Sequence, residues 1–404
     1  MASDPEAPAS SANSPPPRRD SAQRARINRW PTIAIAGVIV GTGTLFFNVM
    51  PLILSSLARA RPLTDSQIGF FASAVMGGAM VATLASVLWI RRFSWRLTSL
   101  VAALAATAAL FGLMVLENYF AMLAVAFVLG CGQAAMIAPP IALLSDTDTP
   151  TRNFAVMVGL QVGLASVLAA AFPAIDGAWS FAGGMGVMGA TTLVCAGLAL
   201  TLPAHGIRGG GGAPAVARPP SNAPVFLGLG ALLVFYTGIT AVWGFAGILG
   251  DARGLGEGEV ASAVSVSLGA GLVGSVVAGV LGDRVRALSA ILFGSLGVGA
   301  TYVLLAFEGG YWFFLATLLA MNAFWNVSVA YQAGLIASFD VTGRFAILMT
   351  AGQTAGALLG PGMMGLILDS TDGFRIGLAF AGVWILGAYG LFWKAVQSGA
   401  LARN

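Results

Sequence analysis

Apolar residues run in long blocks along almost the whole chain, and short polar turns separate the blocks. A run of about eighteen or more apolar residues is the length that an α-helix needs to cross the hydrocarbon core of a bilayer. Twelve such blocks are predicted, at 31–57, 67–90, 96–116, 119–144, 152–174, 179–203, 224–250, 258–281, 287–306, 310–338, 344–368 and 373–395. The pattern therefore predicts an all-α membrane protein with twelve transmembrane helices.

Three polar stretches divide the chain. Residues 1–29 are rich in proline, serine and arginine and cannot build a core, so a disordered cytoplasmic tail is expected there. Residues 204–223 form a long Gly/Pro-rich cytoplasmic linker with six blocks on each side, and 397–404 form a second short tail. The expected domains are an N-terminal six-helix bundle at 30–203 and a C-terminal one at 224–396.

A repeat with a constant offset of 192 residues supports this division. Asp148 and Arg152 open one apolar block, and Asp340 and Arg344 open another. Internal repeats of this kind indicate that a fold is built from related halves. The two bundles are therefore predicted to be pseudo-symmetric.

A glutamine follows each of these two arginines after nine residues, at Gln161 and Gln353. At 1.5 Å of rise per residue, nine residues cover about 14 Å, which is about half of a ~30 Å hydrocarbon core. Both glutamines are therefore predicted at the midplane of the membrane, where transporters built from repeats bind their substrate.

Composition and charge agree with a membrane protein. Hydrophobic residues make up 57% of the chain and charged residues only 9%, which excludes an ordinary soluble domain. Of the twenty Lys and Arg residues, sixteen fall on the side of both termini and four on the other. By the positive-inside rule, both termini are expected in the cytoplasm, with the protein in the plasma membrane (the bacterial inner membrane). Orientation in the lipid bilayer explains the net charge of +4, and no nucleic-acid partner is expected.

A short motif leaves the eighth block. Residues 279–286 read GVLGDRVR, and residues 86–91, at an offset of 193, read SVLWIR with Ile90 where the first copy has Asp283. With twelve spans, a six-plus-six repeat and a central linker, the chain resembles the major facilitator superfamily over about 30–396. The resemblance implies two bundles that rock about a midplane site.

The resemblance also implies a gate on the cytoplasmic side. Asp283 is expected to meet the N-terminus of the helix that begins near Arg152, because the positive end of a helix stabilises an anion. Ile90 leaves the mirror contact without its acid. The complete set of expected gating residues is Arg91, Asp148, Arg152, Asp283, Arg284, Asp340 and Arg344.

No acid or base is predicted inside a helix. Ionisable residues at membrane depth usually mark proton relays and counter-ions for charged substrates, so neither is expected here. The polar and aromatic residues at middle depth are predicted to bind substrate: Asn48, Gln133, Gln161, Tyr236, Trp243, Asn322, Trp325, Asn326 and Gln353. For each of them alone, a hydrogen bond between helices is the alternative.

Gly352, Gly356 and Gly360 recur at every fourth position before Pro361. Small residues at this spacing let two helix backbones approach closely, and a proline bends or weakens the helix. Two interpretations remain open. The glycines form a static packing surface, or they form a smooth face on which one half rocks against the other.

These features predict a secondary transporter that moves a small neutral or amphipathic organic solute by alternating access. A multidrug-type efflux transporter is the alternative, as is a non-transporting receptor or assembly protein on the same fold.

An enzyme is not expected, because no His, Cys or acid pair is placed for chemistry. Two G-x-G-x-x-G matches, at 184–189 and 269–274, lie inside apolar blocks and are read as helix packing. No cofactor or metal is expected, and the protein is expected to be monomeric.

Overall fold

The computed structural model describes residues 18–90, 92–206, 222–339, 346–371 and 373–401, without the side chains of 18–22, 151, 283, 346, 347, 400 and 401. These residues form thirteen α-helices and a short 3₁₀ turn at Gly282–Arg284, with no β-strand among them. The helices are α1 (Arg18–Ile27), α2 (Trp30–Gly43), α3 (Leu45–Ala60), α4 (Asp65–Trp89), α5 (Trp95–Val115), α6 (Tyr119–Ser145), α7 (Pro150–Ala199), α8 (Ala223–Ala252), α9 (Glu257–Leu281), α10 (Ala287–Leu305), α11 (Tyr311–Phe339), α12 (Ala346–Ser370) and α13 (Phe374–Leu401).

Ten stretches of the described chain are long and apolar enough to cross a membrane. One of them, Arg152–Ala199, has 48 residues and is therefore long enough to cross twice. Helix α12 is not among the ten, but its 25 residues are also long enough to span a bilayer. The structure therefore contains twelve crossings, and α7 provides two of them.

The expected tail at 1–29 differs from the structure in its last part, which is the helix α1. Ile27 is fully buried. The Gln23 Nε2 atom donates hydrogen bonds to the backbone carbonyls of His205 at 2.6 Å and Gly206 at 3.1 Å. These contacts with the segment after α7 offset the entropy lost on ordering α1. Residues 1–17 lie outside the described part of the chain.

The first predicted block, 31–57, is divided into α2 and α3 at Thr44. This residue has φ −102° and ψ 1°, outside the helical region. Its hydroxyl donates to the carbonyls of Val40 and Gly41, which lessens the cost of a break at membrane depth. Helix α2 packs against α6 and α7 of its own half, whereas α3 packs both against α7 of its own half and against α8 and α9 of the other half.

The blocks predicted at 152–174 and 179–203 differ from the structure at their junction. Helix α7 runs through residues 175–178 and turns back at Ser180, which has φ 57° and ψ −158°. Ser180 is the one non-glycine residue with positive φ in the described chain. A single strained residue therefore replaces the expected loop.

The helices alternate in direction, so their ends define two faces of the molecule. The termini face, as we name it, consists of residues 28–29, 92–94, 146–149, 200–206 and 285–286. The opposite face consists of residues 61–64, 116–118, 177–180, 253–256 and 306–310.

The glycine series of α12 packs against α8, a helix of the same half. A Cβ atom on Gly352 would lie 3.1 Å from a backbone oxygen of α8, and one on Gly356 or Gly360 would overlap the α8 backbone. This arrangement supports the static packing alternative. Helix α12 also contacts α4 of the other half: the Leu358 side chain would lie 3.3 Å from a Cβ atom on Gly77, and the Pro361 carbonyl oxygen would overlap one on Gly69.

Gly356→Ala is expected to destabilise the protein by about 1–3 kcal/mol, because the added methyl group overlaps the α8 backbone. The apparent melting temperature of the purified protein in detergent measures the effect. Gly382→Ala is the matched control, since a Cβ atom at Gly382 has no other atom within 4 Å. Equal melting temperatures for the two variants would contradict the packing interpretation.

Candidate functional site

A cavity of two adjoining chambers lies between the two halves. The first chamber has a volume of about 230 Å³ and the second about 170 Å³. Phe47, Gln161 and Tyr236 line both chambers, so the two form one continuous site. Their combined size suits a small organic molecule.

All nine residues predicted to bind substrate line this cavity. The first chamber contains Gln133, Gln161, Tyr236 and Gln353. The second contains Asn48, Gln161, Tyr236, Trp243, Asn322, Trp325 and Asn326. The structure thus brings together side chains from α3, α6, α7, α8, α11 and α12, which are drawn from both halves.

Three glutamines present amide groups to the first chamber. Neither Gln161 nor Gln353 has a side-chain hydrogen bond within the described residues, and both are half-buried. Gln133 is 5% exposed, and its Nε2 atom has no partner there. A buried amide without a partner costs free energy, so these groups are available to a ligand.

Several lining residues were missed by the sequence reasoning. The first chamber also contains Thr44, Thr83 and Thr354, and the second contains Ser275. Thr44 lies at the break between α2 and α3, and broken helices often mark the binding site in transporters. The run of Gly and Thr residues at 41–44 was a signal of this break. The other three give no signal of their own in the sequence.

An aromatic cluster closes the cavity towards the opposite face. The Trp325 ring lies 6.1 Å from the rings of Phe47 and Tyr236 and 6.3 Å from that of Trp243, all centroid to centroid. The Trp243 Nε1 atom donates a hydrogen bond of 3.0 Å to the Phe47 carbonyl. Because Phe47 belongs to the first half and the other three to the second, the cluster joins the two halves.

An ion network lies nearer the opposite face and also joins the two halves. Arg59 of α3 binds Asp176 of α7 at 2.9 Å through Nη2. Through Nη1 it binds Asp251 of α8 at 2.7 Å, and its Nη2 lies 3.5 Å from the Glu257 carboxylate of α9. Asp176 was expected between helices, but it lies within α7 with only 8% of its side chain exposed. We call these four residues the Arg59 network.

Two serines of α3 complete the Arg59 network. Ser55 donates a hydrogen bond to Asp251, and Ser56 donates one to Asp176. The Arg59 Nη1 atom also lies 2.6 Å from the Ser55 hydroxyl. Partial burial and shared hydrogen bonds make such a network stronger than isolated surface ion pairs.

A second contact between the halves lies on the same face. The Asp369 carboxylate at the end of α12 accepts hydrogen bonds from the backbone N–H groups of Asp65 at 3.0 Å and Ser66 at 3.1 Å. These groups begin α4, so an anion from one half stabilises the positive end of a helix in the other.

The cavity therefore opens towards the termini face. Among the described residues, the hydrogen bonds and ion pairs between the halves, including the reciprocal hydrogen bonds of Ser166 with Ser265, lie at or beyond the depth of the aromatic cluster. Thr350, near the start of α12, lines the first chamber and is exposed. A solute can reach the amides from the termini face, whereas the Arg59 network blocks the other route.

The expected gating residues are described only in part. Arg91, Asp340 and Arg344 lie outside the described residues, as does the side chain of Asp283. Asp148 is exposed and lies 3.8 Å from Arg24 of α1. Arg152 is exposed, and Arg284 donates a hydrogen bond of 2.7 Å to the Val280 carbonyl.

Two six-helix bundles around a central cavity that opens to one face define a membrane transporter fold. The family profile of the Major Facilitator Superfamily matches residues 33–361, most of the chain. The chain belongs to this superfamily, and it is a multi-pass membrane transporter. The predicted fold and family are confirmed.

Solved structures agree with this assignment at the level of the fold. A mutant of the nucleoside transporter NupG superposes with a TM-score of 0.72 at 11% sequence identity, covering 90% of this chain and 99% of that one. It is one of 286 matching chains. Because its sequence identity to this chain is only 11%, the likeness shows the fold alone. A comparison with curated protein sequences gives no match.

Arg59→Gln is expected to open the opposite face, because three carboxylates then lose their shared cation. With Cys131 and Cys195 replaced by alanine, a Phe47→Cys side chain would report access to the cavity. A membrane-impermeant maleimide added at the opposite face should label it at least about fivefold faster in the Arg59 variant, the factor that corresponds to ~1 kcal/mol. Arg61→Gln is the matched control, because Arg61 makes no ion pair within the described residues. Equal labelling rates in both variants would exclude a gating role for the network.

Proposed function

We propose that this protein moves a small uncharged organic solute across the cytoplasmic membrane by alternating access between its two halves. The observation that carries the proposal is the chemistry of the cavity wall. None of the described residues that line either chamber is an Asp, Glu, Lys, Arg or His. Amides, hydroxyls and aromatic rings supply all of the polar contacts.

A charged solute would bind poorly in such a cavity. Moving an ion out of water costs several kcal/mol (about 20 in an idealised medium), and a buried counter-charge is needed to offset that cost. An uncharged solute loses only its hydrogen bonds to water, which the amides replace. The name of the structural neighbour, a nucleoside transporter, places nucleosides among the uncharged solutes to test.

The sides of the membrane follow from the distribution of charge. Sixteen of the twenty basic residues belong to the side of the termini, so we assign the termini face to the cytoplasm. The structure then corresponds to a state that is open to the cytoplasm and closed outside by the Arg59 network. We expect a monomer in the bacterial inner membrane.

The opposite state requires a second closure. We propose that the halves rock so that the Arg59 network separates while Asp283 approaches the N-terminus of α7 near Arg152. The two closures then alternate, and the cavity is never open to both sides at once. Binding of a solute can favour closure only if the closed state binds it more tightly than the open state does.

The binding role of the two repeat-related glutamines predicts a transport defect. Gln161→Ala and Gln353→Ala should each lower solute uptake into proteoliposomes by about tenfold, because each removes a free amide from the chamber. Gln397→Ala on α13, outside the chambers, is the control and should transport normally. Unchanged uptake in both glutamine variants would assign these residues to helix packing and remove the basis of the proposed site.

The proposed closure by Asp283 predicts that its loss opens the cytoplasmic face, whereas the loss of Arg59 opens the opposite face. Asp283→Asn should favour the state that is open to the cytoplasm, because the anion that closes this side is lost. Labelling of a Thr350→Cys side chain by a maleimide added on the cytoplasmic side should become faster. An unchanged rate, with normal membrane insertion, would show that Asp283 is an ordinary loop acid.

A further inference from the structure

Each asparagine of the second chamber uses one of its two amide N–H donors within its own helix. The Asn48 Nδ2 atom donates to the Thr44 carbonyl at 3.0 Å, and the Asn322 Nδ2 atom donates to the Leu318 carbonyl at 3.2 Å. Asn326 does the same one turn later, at 2.9 Å from the Asn322 carbonyl. Each of these bonds fixes the amide and leaves one N–H group and the Oδ1 acceptor for other partners.

Two of these acceptors have no donor. The Oδ1 atoms of Asn48 and Asn322 receive no hydrogen bond within the described residues, although both residues line the chamber. The Oδ1 atom of Asn326 receives one long bond of 3.5 Å from the Ser275 hydroxyl. The chamber wall therefore offers two acceptors without a donor, one from Asn48 and one from Asn322.

The other polar groups of this chamber supply both donors and acceptors. The Trp243 indole N–H is already bound to the Phe47 carbonyl at 3.0 Å. Gln161 supplies an amide and Tyr236 a hydroxyl group. A ligand that satisfies the two asparagine oxygens must bring O–H or N–H groups of its own, because a ligand with acceptors alone would leave these oxygens unpaired.

The two free acceptors stand on different halves of the protein, Asn48 on α3 and Asn322 on α11. Phe47, Tyr236 and Trp325 line the same chamber, and aromatic walls of this kind suit a ring compound. We propose that the transported solute is an uncharged ring compound with at least two hydroxyl or N–H donors, which it offers to Asn48 and Asn322. This inference rests on the proposed function, since it names the solute class for the same cavity.

The test compares how tightly the purified full-length protein binds solutes that carry hydrogen-bond donors and solutes whose donors are blocked by methylation. Glycosides and nucleosides are screened by thermal shift, and each compound that binds is measured again beside its fully O- and N-methylated counterpart. The methylated compound keeps the ring and lacks the donors. We expect it to bind at least about tenfold more weakly, the ratio that corresponds to one lost hydrogen bond in a buried site.

Variants then locate the effect. Asn322→Leu and Asn48→Leu should each reduce the ratio between parent and methylated compound, because each removes one acceptor. Asn322→Asp keeps the acceptor at nearly the same position and should retain the preference for donors. Gln397→Leu on α13 should leave the ratio unchanged. Since the two asparagines lie on different helices, a folding defect in one variant does not affect the test in the other.

The possible outcomes separate this inference from the proposed function. If methylated and parent compounds bind equally well to the wild-type protein, uncharged solutes are still bound and only the inference is overturned. A ratio that is unchanged in both leucine variants also overturns it. If only charged compounds bind, the proposed function falls and this inference falls with it.

Discussion

The guanidinium group of Arg59 holds the two halves together at one end of the molecule. It binds Asp176 in its own half and Asp251 and Glu257 in the other, and Ser55 and Ser56 fix two of the three carboxylates. Because these partners come from different helices, the network can form only when the halves meet on this face. The opening of the cavity on the termini face follows from that closure.

Charged and neutral polar groups have separate locations in this structure. The ion network and the Asp369 cap lie at the opposite face, where water and helix ends lower the cost of charge. The cavity itself contains amides, hydroxyls and aromatic rings. The charged groups that hold the halves together are therefore distinct from the amides of the cavity, whereas the aromatic cluster both joins the halves and lines the cavity.

The fold followed from the sequence because apolar blocks of membrane length admit few alternatives. The repeat located Gln161 and Gln353, since a helix converts sequence distance into depth. Other features of the structure could not be located from a repeat or from the rise of a helix. Each partner of Arg59 lies more than a hundred residues from it along the chain, and although Asp251 lies at the repeat offset of 192, that offset does not predict a contact. Helix α1 depends on contacts with His205 and Gly206, which a local composition rule cannot anticipate.

The strength of the Arg59 network must suit a transport cycle. Reversing a conformational ratio from 1:99 to 99:1 needs ~5.5 kcal/mol of differential binding. The Arg59 side chain is 38% exposed, so solvent screening limits each of its three ion pairs to about 1 kcal/mol at most. The network then amounts to a few kcal/mol, which two or three hydrogen bonds to a solute can match. A solute that reaches Asn48 and Asn322 at once contacts both halves, and its hydrogen bonds can therefore compensate for the separation of the network.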